Sequence, residues 1–597
     1  MGFNRSICSF CVERLELLRK AFLTFLASTL LLSTLFCASL VEPNAYSSLI
    51  PLTSQISGMV NGTNVYNYDL ELEKIALNHS LSKYSFRSAG SSGANATADW
   101  ILRQFENFGL EAYKESFQFT NWEVLSKPTL VIDDDGNPRT IGDQVEISSF
   151  QSVHYSWPTS SGGVFADLVV LPLPPAANYD EIGINPIDLT EWNGIDTTGK
   201  ILLIGREVRW DYTWELTYKN KLTAQPPAAV VYTWWYDWMS FVPDFFSSVE
   251  GRPGRTFGPY YWELEIPVGF VNHKDGLWIR NRENSLNVSA KAKIETVIGY
   301  GPHHNVIGKL NGHKDPDKLV IVSGHYDTVM CSGFCDNGGG TAGVIELARI
   351  FSEANKTGLL HPKYTMLFIG FASEEIGLVG SVNYVKEHKD IMGDIVAVIN
   401  LDCIGSDDFY VTGTDPGPEF DLDELMLEAA EDLGISTSLD PEGGGSDETT
   451  FLDPSWSEWL YSWFWDLSAD IGDAIPVRSA IGPFSLPTFF MDEWTAGTPG
   501  WIHTSYDNST STTTLSWVEA DDLEDQLKVV ALSLARIVLL KGDINKDHKV
   551  DIFDIVLAAL ALDSEPGDPN WNQAADLNAD DIVDIFDIVI LANNFGE

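Results

Sequence analysis

The sequence predicts an α/β protein: a three-layer α/β/α domain with a mainly parallel central sheet, interrupted by an inserted β-rich domain and followed by a small all-α module. Three observations carry this reading. Four apolar runs of strand length, 319–324, 365–371, 395–401 and 486–491, fall between residues 300 and 540, and residues 338–354 between the first two have helical periodicity. Residues 131–295 instead hold short β-rich runs (LVVLP, KILLIG, AAVVYTWW, IPVGFV) punctuated by Pro, Gly and Asp. Residues 541–597 repeat themselves at a spacing of 33 and carry 13 acids against 3 bases.

Taken in order, residues 1–45 form a signal peptide or an N-terminal membrane anchor. Arg14, Arg19 and Lys20 precede an uncharged run, 21–41, which has the basic flank and apolar body of a secretory signal and the length to span a bilayer if it is not cleaved. Apart from this segment the chain is expected outside the membrane, secreted or held at the cell surface. Asn-x-Ser/Thr triplets at Asn61, Asn78, Asn95, Asn287, Asn355 and Asn508 fit an extracellular glycoprotein. Of the six cysteines, Cys8, Cys11 and Cys37 lie in the leader, so no disulfide scaffold is built from Cys331, Cys335 and Cys403. The four-residue spacing of Cys331 and Cys335 permits a disulfide without establishing one.

Residues 60–130 contain two amphipathic stretches on either side of the segment Phe86-Arg87-Ser88-Ala89-Gly90, the second with Ala98, Ile101, Leu102 and Phe105 at helical spacing. They form the first part of the domain completed by residues 296–540. The insert, 131–295, has no catalytic grouping.

Three of the buried strands end in histidine or acidic residues: His325 and Asp327 after 319–324, Glu374 and Glu375 after 365–371, and Asp402 after 395–401. Open α/β sheets gather ligands at the carboxyl ends of their strands, which lets these side chains converge. Asp336 opens a glycine-rich turn before the helix at 338–354, and His503 lies in a polar loop after the fourth run. Two imidazoles and three carboxylates are the donors that zinc takes, and they suffice for two metals if one carboxylate bridges. Asp327, two residues beyond His325, can orient that imidazole. Of the adjacent glutamates, one can bind metal and the other can act on water as general base.

Five ordered motifs, GHYDTV, DNGGGTAGVIELAR, GFASEEIGLVGS, INLDCIG and WIHTSYDN, resemble the co-catalytic di-zinc aminopeptidase family. That family includes secreted and vacuolar aminopeptidases and, more distantly, glutamate carboxypeptidases and the transferrin receptor. The resemblance spans roughly 65–125 and 300–540 and implies a zinc exopeptidase-like domain acting on peptide substrates. It implies that His325 and Asp402 hold one zinc ion and Glu375 and His503 the other, with Asp336 bridging, Glu374 as general base and Asp327 as the orienter of His325. Residues 131–295 look like the protease-associated (PA) domain that many members insert. Two departures touch substrate contacts: Ser446-Asp447-Glu448 stands where the family commonly has Ser-Asp-His, and Ile502 precedes the last ligand where some members carry tyrosine. A Trp-rich insert, 456–465, is either extra packing or an aromatic lid over an apolar substrate side chain.

In the tail, Asp543, Asn545, Asp547, Asp551 and Asp554 occupy positions 1, 3, 5, 9 and 12 of a twelve-residue loop. Asp576, Asn578, Asp580, Asp584 and Asp587 repeat them. Oxygen ligands in this register suit calcium, with Lys549 and Ile582 at position 7 offering backbone carbonyls. Each loop leads into an apolar helical run. The pair resembles the dockerin module, which implies two calcium ions and a cohesin-type partner domain.

The net charge of −48 excludes nucleic acid as a partner, because phosphate binding needs a basic surface. The leading expectation is a zinc-dependent aminopeptidase. A carboxypeptidase or a glutaminyl cyclase-like single-zinc enzyme of the same fold, and a non-catalytic receptor or assembly component, are the alternatives. The sequence carries no signal for an oligomeric state.

Overall fold

The computed structural model describes residues 52–79, 85–133, 144–153, 156–171, 194–206, 222–234, 265–283, 288–405, 410–412, 422–440, 446–452, 480–481, 483–484, 507–510, 518–539, 542–545, 550–577, 582–593 and 595. The uncharged run 21–41, the apolar run 486–491, the Trp-rich insert and Ile502 lie outside the described residues. Among the described residues, no helix is long and apolar enough to cross a membrane. The chain divides into two compact units, one of residues 56–538 and one that contains 539–597.

In the larger unit, strand β1 (Glu111–Val124) leads into a separate sheet. That sheet comprises β2 (Thr129–Asp133), β3 (Gln144–Glu146), β4 (Gln151–Ser152), β5 (Val164–Val170), β6 (Ile201–Arg206), β7 (Ala229–Trp234), β8 (Val268–Phe270) and β9 (Ser289–Lys293). The four β-rich runs read from the sequence are β5 to β8, and their apolar faces bury Leu203, Val231, Phe150 and the helix residue Ile279 in one cluster. The chain then returns as β10 (Thr296–Leu310), pairing antiparallel with β1 over their whole lengths, from Glu111↔Lys309 to Val124↔Thr296.

The strands that carry the site follow: β11 (Asp315–His325), β12 (Tyr364–Phe371) and β13 (Ile395–Asn400), then β14 (Tyr410–Thr412) and β15 (Ser438–Asp440), β16 (Ala480–Ile481) and β17 (Pro483–Phe484). The main sheet runs β1-β10-β12-β11-β13-β16, with β12, β11, β13 and β16 mutually parallel and the β1–β10 pair antiparallel at one side. Helices cover both faces. Along β12, Gly370 faces Ile101 of the helix Ser92–Asn107, while its neighbour Ile369 packs with Val382 and Val385 of the helix Val379–Glu387. Side chains of successive strand residues point to opposite faces, so β12 and β13 are buried almost throughout, as their unbroken apolar runs require.

The smaller unit holds two short helices, Ile552–Ala561 and Ile585–Asn593, around Val550, Ala558, Ala575, Val583 and Leu591. A bridge between Ser564 and Val583 ties its halves together.

Candidate metal centre

His325 is the last residue of β11, which lies between β12 and β13 in the sheet. That order brings the ends of all three strands together. Asp402 lies two residues past β13, and Glu374 three residues past β12. The fourth group, Asp336, comes from the turn Phe334–Gly339 between β11 and the helix Gly340–Thr357. Asn337 fixes that turn: its Nδ2 donates to the Leu401 carbonyl at 2.8 Å, and its Oδ1 accepts the amides of Gly340 at 2.9 Å and Cys403 at 3.2 Å. One buried amide side chain thereby joins the turn that bears Asp336 to the strand end that bears Asp402. The contact leaves no room for a side chain at position 340, where a Cβ would stand 2.2 Å from the Leu401 oxygen.

At the centre, Nε2 of His325 lies 3.3 Å from Oδ1 of Asp336 and 3.3 Å from Oδ1 of Asp402, with Oε2 of Glu374 at 3.9 Å. One ligand atom from each of His325, Asp336 and Asp402 falls within 4.8 Å of the others. Burial alone would push the His325 imidazole down, but the charges of Asp402 and Glu374 outweigh it and hold the ring well above its ordinary value. His325 Nε2 and Asp402 Oδ1 are both buried and have no aligned hydrogen-bond partner. A buried polar atom left in that state is costly, and a shared cation removes the cost. An imidazole and two carboxylates are donors that zinc takes, so the residues present fit a zinc ion.

Asp327 does more than the sequence reading assigned to it. Its backbone carbonyl lies 3.1 Å from Nδ1 of His325, whereas its carboxylate is 3.8 Å away. That carboxylate instead accepts the amides of Glu374 at 3.0 Å and Glu375 at 3.3 Å. Burial holds Asp327 above its ordinary value, and the charge of His325 and these amide bonds offset only part of the rise. Ser373, just before Glu374, and Cys403, just after Asp402, both have left-handed backbone (φ 64° and 52°), a strained conformation for residues with a side chain. Glu375 is buried beside the loop after His325, its Oε1 accepting the Val329 amide at 3.1 Å. His503, assigned with Glu375 to a second zinc ion, lies outside the described residues.

Two residues with no role in the sequence reading support this centre. Asp507 accepts the amides of Cys335 at 2.6 Å and Asp336 at 3.3 Å, holding the backbone that carries Asp336. It stands in the motif WIHTSYDN, so its place was visible though its function was not. Glu448, the departure from Ser-Asp-His, is buried, and its carboxylate accepts the Ser446 amide at 2.9 Å and Asn400 Nδ2 at 3.0 Å. It fastens residues 446–448 to the end of β13, and burial raises it to about 7. The adjacent Asp447 is pushed well up by burial and then by the charge of Glu374.

A Cys331–Cys335 disulfide is not formed. Cys331, Cys335 and Cys403 are buried and none is in a disulfide, and Cys335 and Cys403 share a hydrogen bond.

In the smaller unit the position-12 residues close their loops. Asp554 accepts the amides of Ile544 at 2.7 Å, Asn545 at 3.0 Å and Asp551 at 2.8 Å. Asp587 accepts those of Leu577 at 2.6 Å and Asp584 at 2.7 Å. Asp551 and Asp584 accept the amides of Phe553 at 2.8 Å and Phe586 at 2.7 Å at the starts of the following helices. The remaining predicted positions Asp543, Asp576 and Ile582 are among the described residues, whereas Asp547, Lys549, Asn578 and Asp580 lie outside them.

An α/β sheet that gathers an imidazole and two carboxylates at its strand ends has the donor set of a metal centre. Residues 305–525 match the model of peptidase family M28, and residues 541–596 that of the dockerin type I domain, so the chain carries an M28 peptidase domain followed by a dockerin type I domain. Over 209 residues it is 32% identical to the probable glutamate carboxypeptidase LAMP1 of Arabidopsis thaliana, a match covering 32% of this chain and 29% of that protein. Over 267 residues it is 30% identical to aminopeptidase YwaD of Bacillus subtilis, covering 43% of this chain and 51% of that protein. The match thus spans about half or less of these relatives' own lengths. The structure of BSAP, a zinc aminopeptidase from Bacillus subtilis, superposes with a TM-score of 0.54 over 81% of this chain and 97% of that one, at 20% identity, a likeness of fold.

Proposed function

We propose that the protein is a zinc-dependent aminopeptidase that hydrolyses the N-terminal peptide bond of its substrates, with Glu374 as general base. The observation that carries the reading is the convergence of His325, Asp336 and Asp402 with Glu374 at 3.9 Å from the His325 nitrogen. His325 and Asp402 would hold one zinc ion, Glu375 and His503 a second, and Asp336 would bridge them. Bound zinc supplies Lewis acidity, which lowers the pKa of water and polarises the scissile carbonyl. Glu374 takes the proton of the attacking water on its carboxylate and returns it to the leaving amine. Asp327 sets the position of that carboxylate through the Glu374 amide. The assay is release of amino acids from N-terminally free, C-amidated peptides and from N-blocked, C-terminally free ones, by full-length protein with zinc, with chelator, and with zinc restored. Zinc-dependent release from the first set alone supports the reading; release from the blocked set alone replaces it with a carboxypeptidase.

The sheet of residues 129–293 fits a protease-associated insert. The acidic loops of the tail fit two calcium ions, and each loop carries an exposed apolar pair at its positions 10 and 11, Ile552-Phe553 (54% and 62% exposed) and Ile585-Phe586 (61% and 63%). Two equivalent apolar pairs suit a cohesin-type partner domain. Together with the leader segment, they favour an extracellular setting. Calorimetric titration with a purified cohesin-type domain, with and without calcium, tests the partner; no heat in calcium removes it.

A further inference from the structure

The segment between His325 and Asp336 is irregular, and its carbonyls point into the protein, where each needs a donor. Arg87 supplies three. It is fully buried, and its Nε donates to the carbonyl of Tyr326 at 3.0 Å, Nη1 to that of Ser332 at 2.9 Å and Nη2 to that of Gly333 at 3.0 Å. The neighbouring Ser88 hydroxyl adds a longer contact to the Val329 carbonyl at 3.4 Å. Arg87 thus grips the segment just after the imidazole and again just before the turn that bears Asp336, while Asp507 holds that turn by the amides of Cys335 and Asp336. A guanidinium is the one side chain with a rigid fork of donors and no acceptor, so three converging carbonyls select it over lysine. Its buried charge is opposed by Asp69 and Asp507. Asp69 is itself fully buried and sits so close to the turn that a Cβ at Gly338 would come within 2.1 Å of its Oδ1.

Arg87 comes from the turn before the helix Ser92–Asn107, more than two hundred residues from the segment it holds and outside residues 305–525. We propose that Arg87 is a positioning residue for the metal centre: it sets the separation and orientation of His325 and Asp336 by clamping both ends of the segment that joins them. The inference rests on the zinc-site reading above.

The test compares full-length wild type, Arg87→Lys and Arg87→Met by zinc titration against a competing chelator, by the visible absorption of the cobalt-substituted protein, and by kcat and KM on an N-terminally free peptide. Lysine keeps the charge but reaches one carbonyl instead of three. We expect folded Arg87→Lys to bind zinc about 10- to 100-fold more weakly, as for other residues that orient ligands, with a changed cobalt spectrum and a fall in kcat at nearly constant KM. Arg87→Met is expected to lose more. A cobalt spectrum and zinc affinity of Arg87→Lys within twofold of wild type would overturn the proposal. So would failure of both variants to fold, because Arg87 would then serve the fold at large. If wild type itself binds no zinc, the site reading fails and this inference falls with it, an outcome distinct from a variant that matches a zinc-binding wild type.

Discussion

The carboxylate of Asp327 receives the backbone amide of Glu374 at 3.0 Å. Sequence proximity linked Asp327 to His325, but the folded chain gives its carboxylate to the loop that carries Glu374 and leaves the imidazole to its carbonyl. Asp327→Asn keeps the size and one acceptor oxygen while setting an N–H donor against an amide. The expected result is a fall in kcat of about 10- to 100-fold with zinc content retained. Steady-state kinetics with metal analysis of the same preparations checks it, and loss of zinc in step with activity would return Asp327 to the role of ligand orienter.

His303 on β10 donates to or accepts from the Ser373 hydroxyl at 2.6 Å and lies between Phe117 and Phe119. Burial lowers it to about 4 from its ordinary 6.5. The native state therefore binds a proton there less readily than the unfolded chain. Its stabilising contribution is complete above about pH 6.5 and is lost as pH falls through that value toward about 4, to a total on the order of 3 kcal/mol. Denaturant melts of chelator-treated wild type and His303→Phe between pH 4 and pH 7 measure this. The stability of wild type relative to the variant should shrink as the solution is acidified, and a constant difference would show that His303 does not titrate.

Asp554 and Asp587 each join the end of an acidic loop to its beginning through backbone amides. Calorimetry of the full chain should count two calcium ions, Asp554→Ala and Asp587→Ala should each remove one, and the double variant both. Two sites persisting in the double variant would place calcium elsewhere.

The strands that carry the site were legible because parallel strands buried on both faces leave unbroken apolar runs, and the residues that end them, His325, Glu374 and Asp402, stand out against those runs. The strand β1 was not identified. As the edge strand of the main sheet it leaves 111–118 exposed or half-buried and reaches the core only from Phe119 onward, so no unbroken apolar run marks it. The supports of the site were hidden for a different reason. Asn337, Asp507 and Arg87 act through backbone groups 64 to 246 positions away, and a hydrogen bond to a carbonyl or an amide leaves no residue-type signal at the other end. Glu448 shows the converse: the departure from the family pattern was plain, but only its bonds to Ser446 and Asn400 reveal a fastening role.

In the proposed reaction Glu374 acts as the base beside a zinc centre built on His325, Asp336 and Asp402. The most direct measurement is kcat of zinc-loaded Glu374→Gln on an N-terminally free peptide, taken with its zinc content. Wild-type zinc content and a kcat lowered by about 10²- to 10⁴-fold are expected; full zinc content with kcat equal to wild type would show that Glu374 is not the base.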